Sequence, residues 1–256
     1  KEGIFYTPDY IVRFIVDNSL GAYLRKQEQM IQRKHRLTGR LGEAGYEARQ
    51  QAAYLEYLIV LQGIKVIDIA CGSGAFLVNV FDYLLRENER VNEILGGTLT
   101  SFDEMARTIL SDNIFGVDLN PESVEITKLS LWLKTAQKGR PLTSLDNNIR
   151  CGNSVIDDVD VAGEKAFNWH AQFPEIMSAG GFDVVVGNPP YINARLMTPD
   201  DRTFLANKYS DLSGAYDIYV VFLLHALELL KPTGHYGWII PNKFLIADYA
   251  RKTLET

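Results

Sequence analysis

Apolar positions recur at helical spacing through residues 8–60, and no strand pattern interrupts them. A first strand is expected from Lys65 to Ala70, followed by a helix from Ala75 to about Asn88. Ser101 and Glu104 have the spacing of a capping box and predict a short extra helix. Asn113 to Leu119 reads as a second strand. Asn120-Pro121 then opens a helix, with a good N-cap residue before proline at the first position. Short strands are expected at Ile149 to Cys151 and Asp183 to Val186. A buried helix covers Tyr216 to Leu230, Pro232-Thr233-Gly234 reads as a turn, and Tyr236 to Ile240 as a fifth strand. Strands alternating with helices predict an α/β fold with a doubly wound, mostly parallel sheet behind an N-terminal helical segment. There is no internal repeat and no low-complexity segment.

The chain has 256 residues and is 46% hydrophobic, enough for a sizeable core. Its longest apolar stretch, Ile218 to Leu230, is interrupted by His225 and Glu228 and is too short and polar to span a bilayer. Lys1 to Asp17 has no apolar region or cleavage site of a signal peptide. Cys71 and Cys151 sit in different motifs and suggest no disulfide framework. A cytoplasmic protein with no membrane partner is expected.

The first strand runs into Asp68-Ile69-Ala70-Cys71-Gly72-Ser73-Gly74-Ala75-Phe76. Glycines after a strand let the backbone turn tightly and let a ligand approach closely. The turn feeds a helix N-terminus, whose free amides favour an anionic group. The spacing is not that of a dinucleotide turn, since Leu77 stands where the third glycine would be. The lysine of a nucleoside-triphosphate loop is also missing. Asp118 ends the second strand, where a carboxylate can accept both hydroxyls of a ribose; the bland alternative is a strand-end cap.

Phe182-Asp183-Val184-Val185-Val186-Gly187-Asn188-Pro189-Pro190-Tyr191 is the most informative stretch. A buried strand delivers a polar tetrapeptide to the carboxyl edge of the sheet, where open α/β folds bind ligands. Two prolines fix the backbone and remove two donors, leaving carbonyls without competing amides. Read alone, the tetrapeptide could be a rigid strand-ending turn with a surface tyrosine. Likewise Phe5-Tyr6-Thr7-Pro8 could be a simple helix entry, with Thr7 as cap.

Together these motifs resemble the amino-methylating DNA methyltransferases, within the class I fold that uses S-adenosyl-L-methionine. The resemblance implies that Asp68 lies near the amino-acid part of the cofactor and that the backbone of Ala70, Cys71, Gly72, Ser73 and Gly74, with Phe76 beyond, wraps it. It also implies that Thr7 meets the methionine carboxylate, Asp118 the ribose and Asn153 the adenine, with Leu119 and Ser154 beside them in the cofactor site. Relatives often carry proline at Ile69 and aspartate at Asn153.

The resemblance further implies that Asn188, Pro189, Pro190 and Tyr191 are catalytic. An adenine N6 lone pair is delocalised into the ring, and two acceptors that take its hydrogens free it. The Asn188 side-chain oxygen and the Pro189 carbonyl would supply them, with a gain that grows towards the transition state. Tyr191 would stack on a base flipped out of double-stranded DNA, so that phenylalanine or tryptophan there should retain activity. No metal is required, and His35, His170, His225 and His235 show no catalytic spacing.

The motif order resembles the gamma class. Asn113-Ile114-Phe115-Gly116-Val117-Asp118-Leu119-Asn120-Pro121 and Lys128-Leu129-Ser130-Leu131-Trp132-Leu133 resemble restriction–modification enzymes that fuse methylase and nuclease. Residues 1–62 are expected to form a helical segment carrying the upstream cofactor motif, and 63–256 a catalytic domain truncated at its C-terminal end. The net charge of -6 suggests that the main DNA-gripping surface lies elsewhere. A recognition domain is expected in the rest of the parent chain, since too few residues separate Asn153 from Asp183 to hold one; no [DE]-x-K pattern occurs here, which leaves room for a nuclease there as well. The basic stretch Arg25 to Arg49 reads as a solvated hairpin or a phosphate-contacting face. Competing readings are a protein-glutamine methyltransferase, an N4-cytosine enzyme, and a non-catalytic module that binds cofactor or DNA. The glycine spacing disfavours a nicotinamide oxidoreductase.

Overall fold

The computed structural model describes residues 7–37, 44–97, 99–135, 143–209, 216–242 and 244. Phe5, Tyr6, Arg40 and everything after Phe244 lie outside the described residues.

The N-terminal helical reading is borne out by α1 (Asp9–Asn18), α2 (Leu20–Lys34) and α3 (Tyr46–Gly63). Five strands follow among the described residues: β1 (Val66–Asp68), β2 (Ile114–Asp118), β3 (Ile149–Cys151), β4 (Phe182–Gly187) and β5 (Leu230–Trp238). They form one sheet in the order β3-β2-β1-β4-β5, with every pairing parallel. The crossovers contain α4 (Ala75–Ile94), α5 (Phe102–Thr108), α6 (Pro121–Thr135), three short helices α7 (Val159–Ala162), α8 (Trp169–Gln172) and α9 (Pro174–Ser178), then α10 (Pro199–Lys208) and α11 (Tyr219–Leu229).

Both faces of the sheet are covered, which is why Val184-Val185-Val186 of β4 is a continuous apolar run and not an alternating one. Val184 and Val186 join one core cluster with Val12, Leu61, Leu77 and Leu131. Phe182 and Val185 join another with Ile67, Trp169, Val220 and Leu229. The N-terminal helices thus share a core with one face of the sheet. Asp183 ties them to it by polar bonds as well. Its Oδ1 accepts from the Tyr23 hydroxyl at 3.0 Å and from Lys231 Nζ at 2.8 Å, while Oδ2 accepts from the Lys65 amide.

The capping box at Ser101 and Glu104 forms as expected. The segment before β2 also contains a π-helical turn, Ile109–Asn113, so that strand starts one residue later than the pattern suggested. β5 departs further from expectation. It begins at Leu230, and Pro232-Thr233-Gly234 lies inside it as an irregularity, not before it as a turn. Phe182 pairs with Leu230 but Val184 with His235, so five steps on β5 match two on β4. Gly234 allows this, since a β-carbon there would come within 2.8 Å of Leu230 and 3.0 Å of the Asp183 carbonyl.

A switch point at the carboxyl edge of the sheet

β1 and β4 are adjacent at the centre of the sheet, with Ile67 opposite Val185. The crossovers leaving them run in opposite directions along the sheet, towards β2 and towards β5. The crevice that this opens at the carboxyl ends is where doubly wound folds bind ligands. The glycine turn and the Asn-Pro-Pro-Tyr segment emerge there side by side.

The turn is held by backbone and by α6. The Cys71 amide donates to the Val117 carbonyl at 3.0 Å, and the Gly74 amide to the Cys71 carbonyl at 2.8 Å. Thr127, fully buried on α6, donates its hydroxyl to the Gly72 carbonyl at 2.8 Å. Gly74 has φ +85°, and a β-carbon there would lie 2.9 Å from Thr127, so only glycine lets α6 pack this closely. The sequence offered no signal for Thr127 beyond its place on a helix. Gly72 differs: with φ +51°, its α-carbon faces open space. A ligand can therefore lie directly on the backbone there. Ser73 beside it is exposed, and α4 starts from Gly74 with no side-chain cap.

Two carboxylates flank the turn. Asp118 Oδ2 accepts from the Gly72 amide at 2.8 Å and Oδ1 from the Asn120 amide at 2.9 Å. A carboxylate has about four acceptor positions, so each oxygen retains capacity for a hydroxyl. The capping and ribose readings are thus compatible in one residue. Asp68 is buried at the floor, with Oδ1 accepting from the Ala70 amide at 3.0 Å. Burial, countered in part by that amide, pushes its carboxyl up to about 8. Gly187 overlies it so closely that a β-carbon would sit 2.6 Å from Asp68 Oδ1.

Cys71 and Phe76 point their side chains into the core. Burial raises the Cys71 thiol, so it stays protonated and is no nucleophile. These two residues can serve a ligand only through backbone. Leu119 is half-exposed at the end of β2. Asn153 is half-buried, its Oδ1 accepting from the Val155 amide, and buried Ser154 donates its hydroxyl to the Ile69 carbonyl. Ser154 thereby binds the loop after β3 to the turn after β1.

The catalytic candidates form a connected set. Asn188 Nδ2 donates to Thr7 Oγ1 at 3.1 Å. The Tyr191 hydroxyl lies 2.5 Å from Asn188 Oδ1 and 2.6 Å from the Ile239 carbonyl. Pro189 is buried and Pro190 half-buried. Burial pushes the Tyr191 hydroxyl up to about 12, so it remains a donor at neutral pH. Its ring packs edge-on against Tyr219 at 5.9 Å. Ile239 was not foreseen as a participant, since nothing in its side chain announces a role for its carbonyl. Thr7 does not cap α1: Pro8 holds the cap position without any side-chain bond. Thr7 and Ser73 border a cleft of about 520 Å³ between α1, α4 and α6.

Some of the remaining polar candidates are engaged by the chain's own groups and others face solvent. Arg25 donates to the Asp17 carbonyl, and Lys34 and His35 both reach Glu56, while Lys26, Arg33 and Arg36 are exposed. His225 is buried and bonds with Tyr209 and Glu228, burial lowering its basicity.

The model of the family described as Eco57I restriction-modification methylase matches residues 112–256. The type II restriction enzyme and methyltransferase RM.Eco57I of Escherichia coli is 32% identical over 73% of this chain and 21% of its own length. The adenine-specific methyltransferase PglX of Streptomyces coelicolor is 26% identical over 98% of this chain and 20% of its own. Among solved structures, the type IIL restriction-modification enzyme MmeI in complex with DNA superposes with a TM-score of 0.60 at 17% identity, covering 89% of this chain and 28% of that one. The ATP-dependent type ISP enzyme LlaBIII bound to DNA gives 0.59 at 17% identity, covering 98% of this chain and 15% of that one. These two likenesses bear on the fold alone. The chain spans only about a fifth of the length of the two curated relatives described. With more than half of it matched by the family model, the chain belongs to the Eco57I restriction-modification methylase family.

Proposed function

We propose that this chain carries the methyl-transfer site of a DNA adenine methyltransferase of a restriction–modification system, acting on N6 of an adenine flipped out of double-stranded DNA. The observation that carries this reading is Asn188, held between Thr7 and Tyr191 at the switch point, beside a glycine turn open to a ligand.

The donor set fits S-adenosyl-L-methionine. The open backbone of Gly72 and Ser73 suits a closely packed ligand, the Asp118 oxygens suit two vicinal hydroxyls, and Asp68 provides a buried carboxylate near a cationic amino acid. Asn153 would flank its adenine, with Leu119 and Ser154 lining the same cofactor site and Phe76 and Cys71 contributing backbone. The bound cofactor supplies an already activated methyl group, so the chain needs no nucleophile. The chain's task is to bind, orient and exclude water. Asn188 Oδ1 and the Pro189 carbonyl would accept the two N6 hydrogens as the amine becomes tetrahedral. Acceptors fixed in advance stabilise that change without reorganising. The proline pair keeps competing amides out of the same space.

A protein-glutamine methyltransferase presents the same planar-nitrogen problem and is the second reading, but the family assignment favours DNA. The recognition domain, and any nuclease, would belong to the rest of the parent protein. No helix among the described residues is long and apolar enough to cross a membrane. The test is incubation of the parent protein with labelled cofactor and duplex DNA, followed by mass spectrometry of the nucleosides. N6-methyladenine is expected. Label on cytosine or on protein would overturn the reading.

A further inference from the structure

Thr7 was expected to serve the cofactor, or to cap a helix. Its hydroxyl does not cap, since α1 starts from Pro8 without a side-chain bond. Instead Thr7 Oγ1 accepts from Asn188 Nδ2 at 3.1 Å, across 181 residues of sequence. An asparagine amide is nearly symmetric in shape, and its partners decide which end faces which way. Here a hydroxyl sits at each end: Thr7 at Nδ2, Tyr191 at Oδ1. The Tyr191 hydroxyl also reaches the Ile239 carbonyl and has a single proton to give. Neither hydroxyl alone defines the amide, because each can donate or accept; Thr7 is restricted to accepting from it once its own proton is given to another acceptor.

We propose that Thr7 is a positioning residue for the Asn188 amide, fixing its rotation so that the oxygen is presented for the amine. This inference rests on the methyl-transfer reading above. A threonine hydroxyl that accepts from Asn188 still has its own proton to donate. Thr7 also borders the cleft beside Ser73, so that proton can serve a ligand carboxylate there. One side chain would then couple a filled cofactor seat to a correctly turned amide.

Three versions of the protein test it: wild type, Thr7→Ser and Thr7→Val. Valine keeps the shape and removes the acceptor; serine keeps the acceptor. The first measurement is hydrogen exchange of the Asn188 side-chain NH2 by NMR on this chain, with Asn188→Asp used only to assign the resonance. Exchange should be about tenfold faster in Thr7→Val than in wild type, and close to wild type in Thr7→Ser, as expected for loss of one hydrogen bond. The second is the single-turnover methylation rate of the parent protein beside the dissociation constant of S-adenosyl-L-methionine. The rate should fall about tenfold or more in Thr7→Val and recover in Thr7→Ser, with cofactor affinity changing less than the rate. Equal exchange in all three proteins would overturn the proposal. So would a Thr7→Val loss that lies wholly in cofactor affinity, which is the signature of a cofactor contact. A wild-type parent that neither binds the cofactor nor methylates DNA would instead overturn the functional reading, while the exchange result still decides whether Thr7 holds the amide.

Discussion

The Tyr191 hydroxyl lies 2.5 Å from Asn188 Oδ1, three residues away in the chain, and 2.6 Å from the Ile239 carbonyl. A residue expected only to offer its ring to a base is thus also a polar brace between two segments of the site. The expectation that phenylalanine could replace it rested on stacking alone. With its hydroxyl committed, Tyr191→Phe should lower the single-turnover rate by about tenfold, the scale of one lost hydrogen bond. Tyr191→Ala should lose more, because about 1–3 kcal/mol of base stacking goes as well. Rapid-quench methylation assays on the parent protein check both. A Tyr191→Phe protein as fast as wild type would show that the brace is idle.

Asn188→Ala removes the proposed acceptor for the N6 hydrogen. Methylation should drop by about two orders of magnitude or more, as when one preorganised polar contact is lost. Cofactor affinity should change little, since Asp118 and the glycine turn are untouched. Calorimetry beside nucleoside mass spectrometry separates the two effects.

Asp68 predicts a pH dependence. Its carboxyl is raised from 3.8 to about 8 in the folded protein, so the folded state holds a proton that the unfolded state has lost between those values. The stability tied to that proton is full below pH 3.8 and is lost as pH rises through about 8. Urea midpoints measured from pH 5 to 9 should fall with pH more steeply in wild type than in Asp68→Asn, which cannot titrate. A cationic ligand next to Asp68 would favour its ionised form. Binding of S-adenosyl-L-methionine below about pH 8 should therefore release protons. Calorimetry in buffers of different ionisation enthalpy reads this directly, and Asp68→Asn should abolish the buffer dependence.

Gly187 tests how closely the two central loops must approach. Gly187→Ala would place a β-carbon 2.6 Å from Asp68 Oδ1, closer than folded proteins allow. A cost of about 1–3 kcal/mol is expected from such overpacking, with displacement of Asn188 next to it. Asp68→Ala should relieve part of the Gly187→Ala penalty, so a double-mutant cycle in denaturant should give a coupling above about 0.5 kcal/mol. Additive effects would mean that the backbone shifts freely there.

What was legible in the sequence is what depends on near neighbours. The capping box at Ser101 and Glu104 needs residues three apart. The Asn120-Pro121 helix entry, the short strand Ile149–Cys151 and the glycine turn after Asp68 are equally local, and each was found in place. The alternation of strands and helices also implied a parallel sheet before any contact was known. β5 escaped this reasoning because Pro232-Thr233-Gly234 has turn chemistry by itself, and only pairing with β4 turns it into an irregularity within a strand. The joins that make the site were likewise decided by tertiary structure. Thr7 meets Asn188, Thr127 meets the Gly72 carbonyl, Asp68 meets Gly187, and Tyr191 meets Ile239. Each pair lies far apart in sequence, and none has a spacing that favours it locally. They meet because β1 and β4 are buried side by side at the centre of the sheet, and because covering both faces of that sheet fixes where the flanking helices must lie.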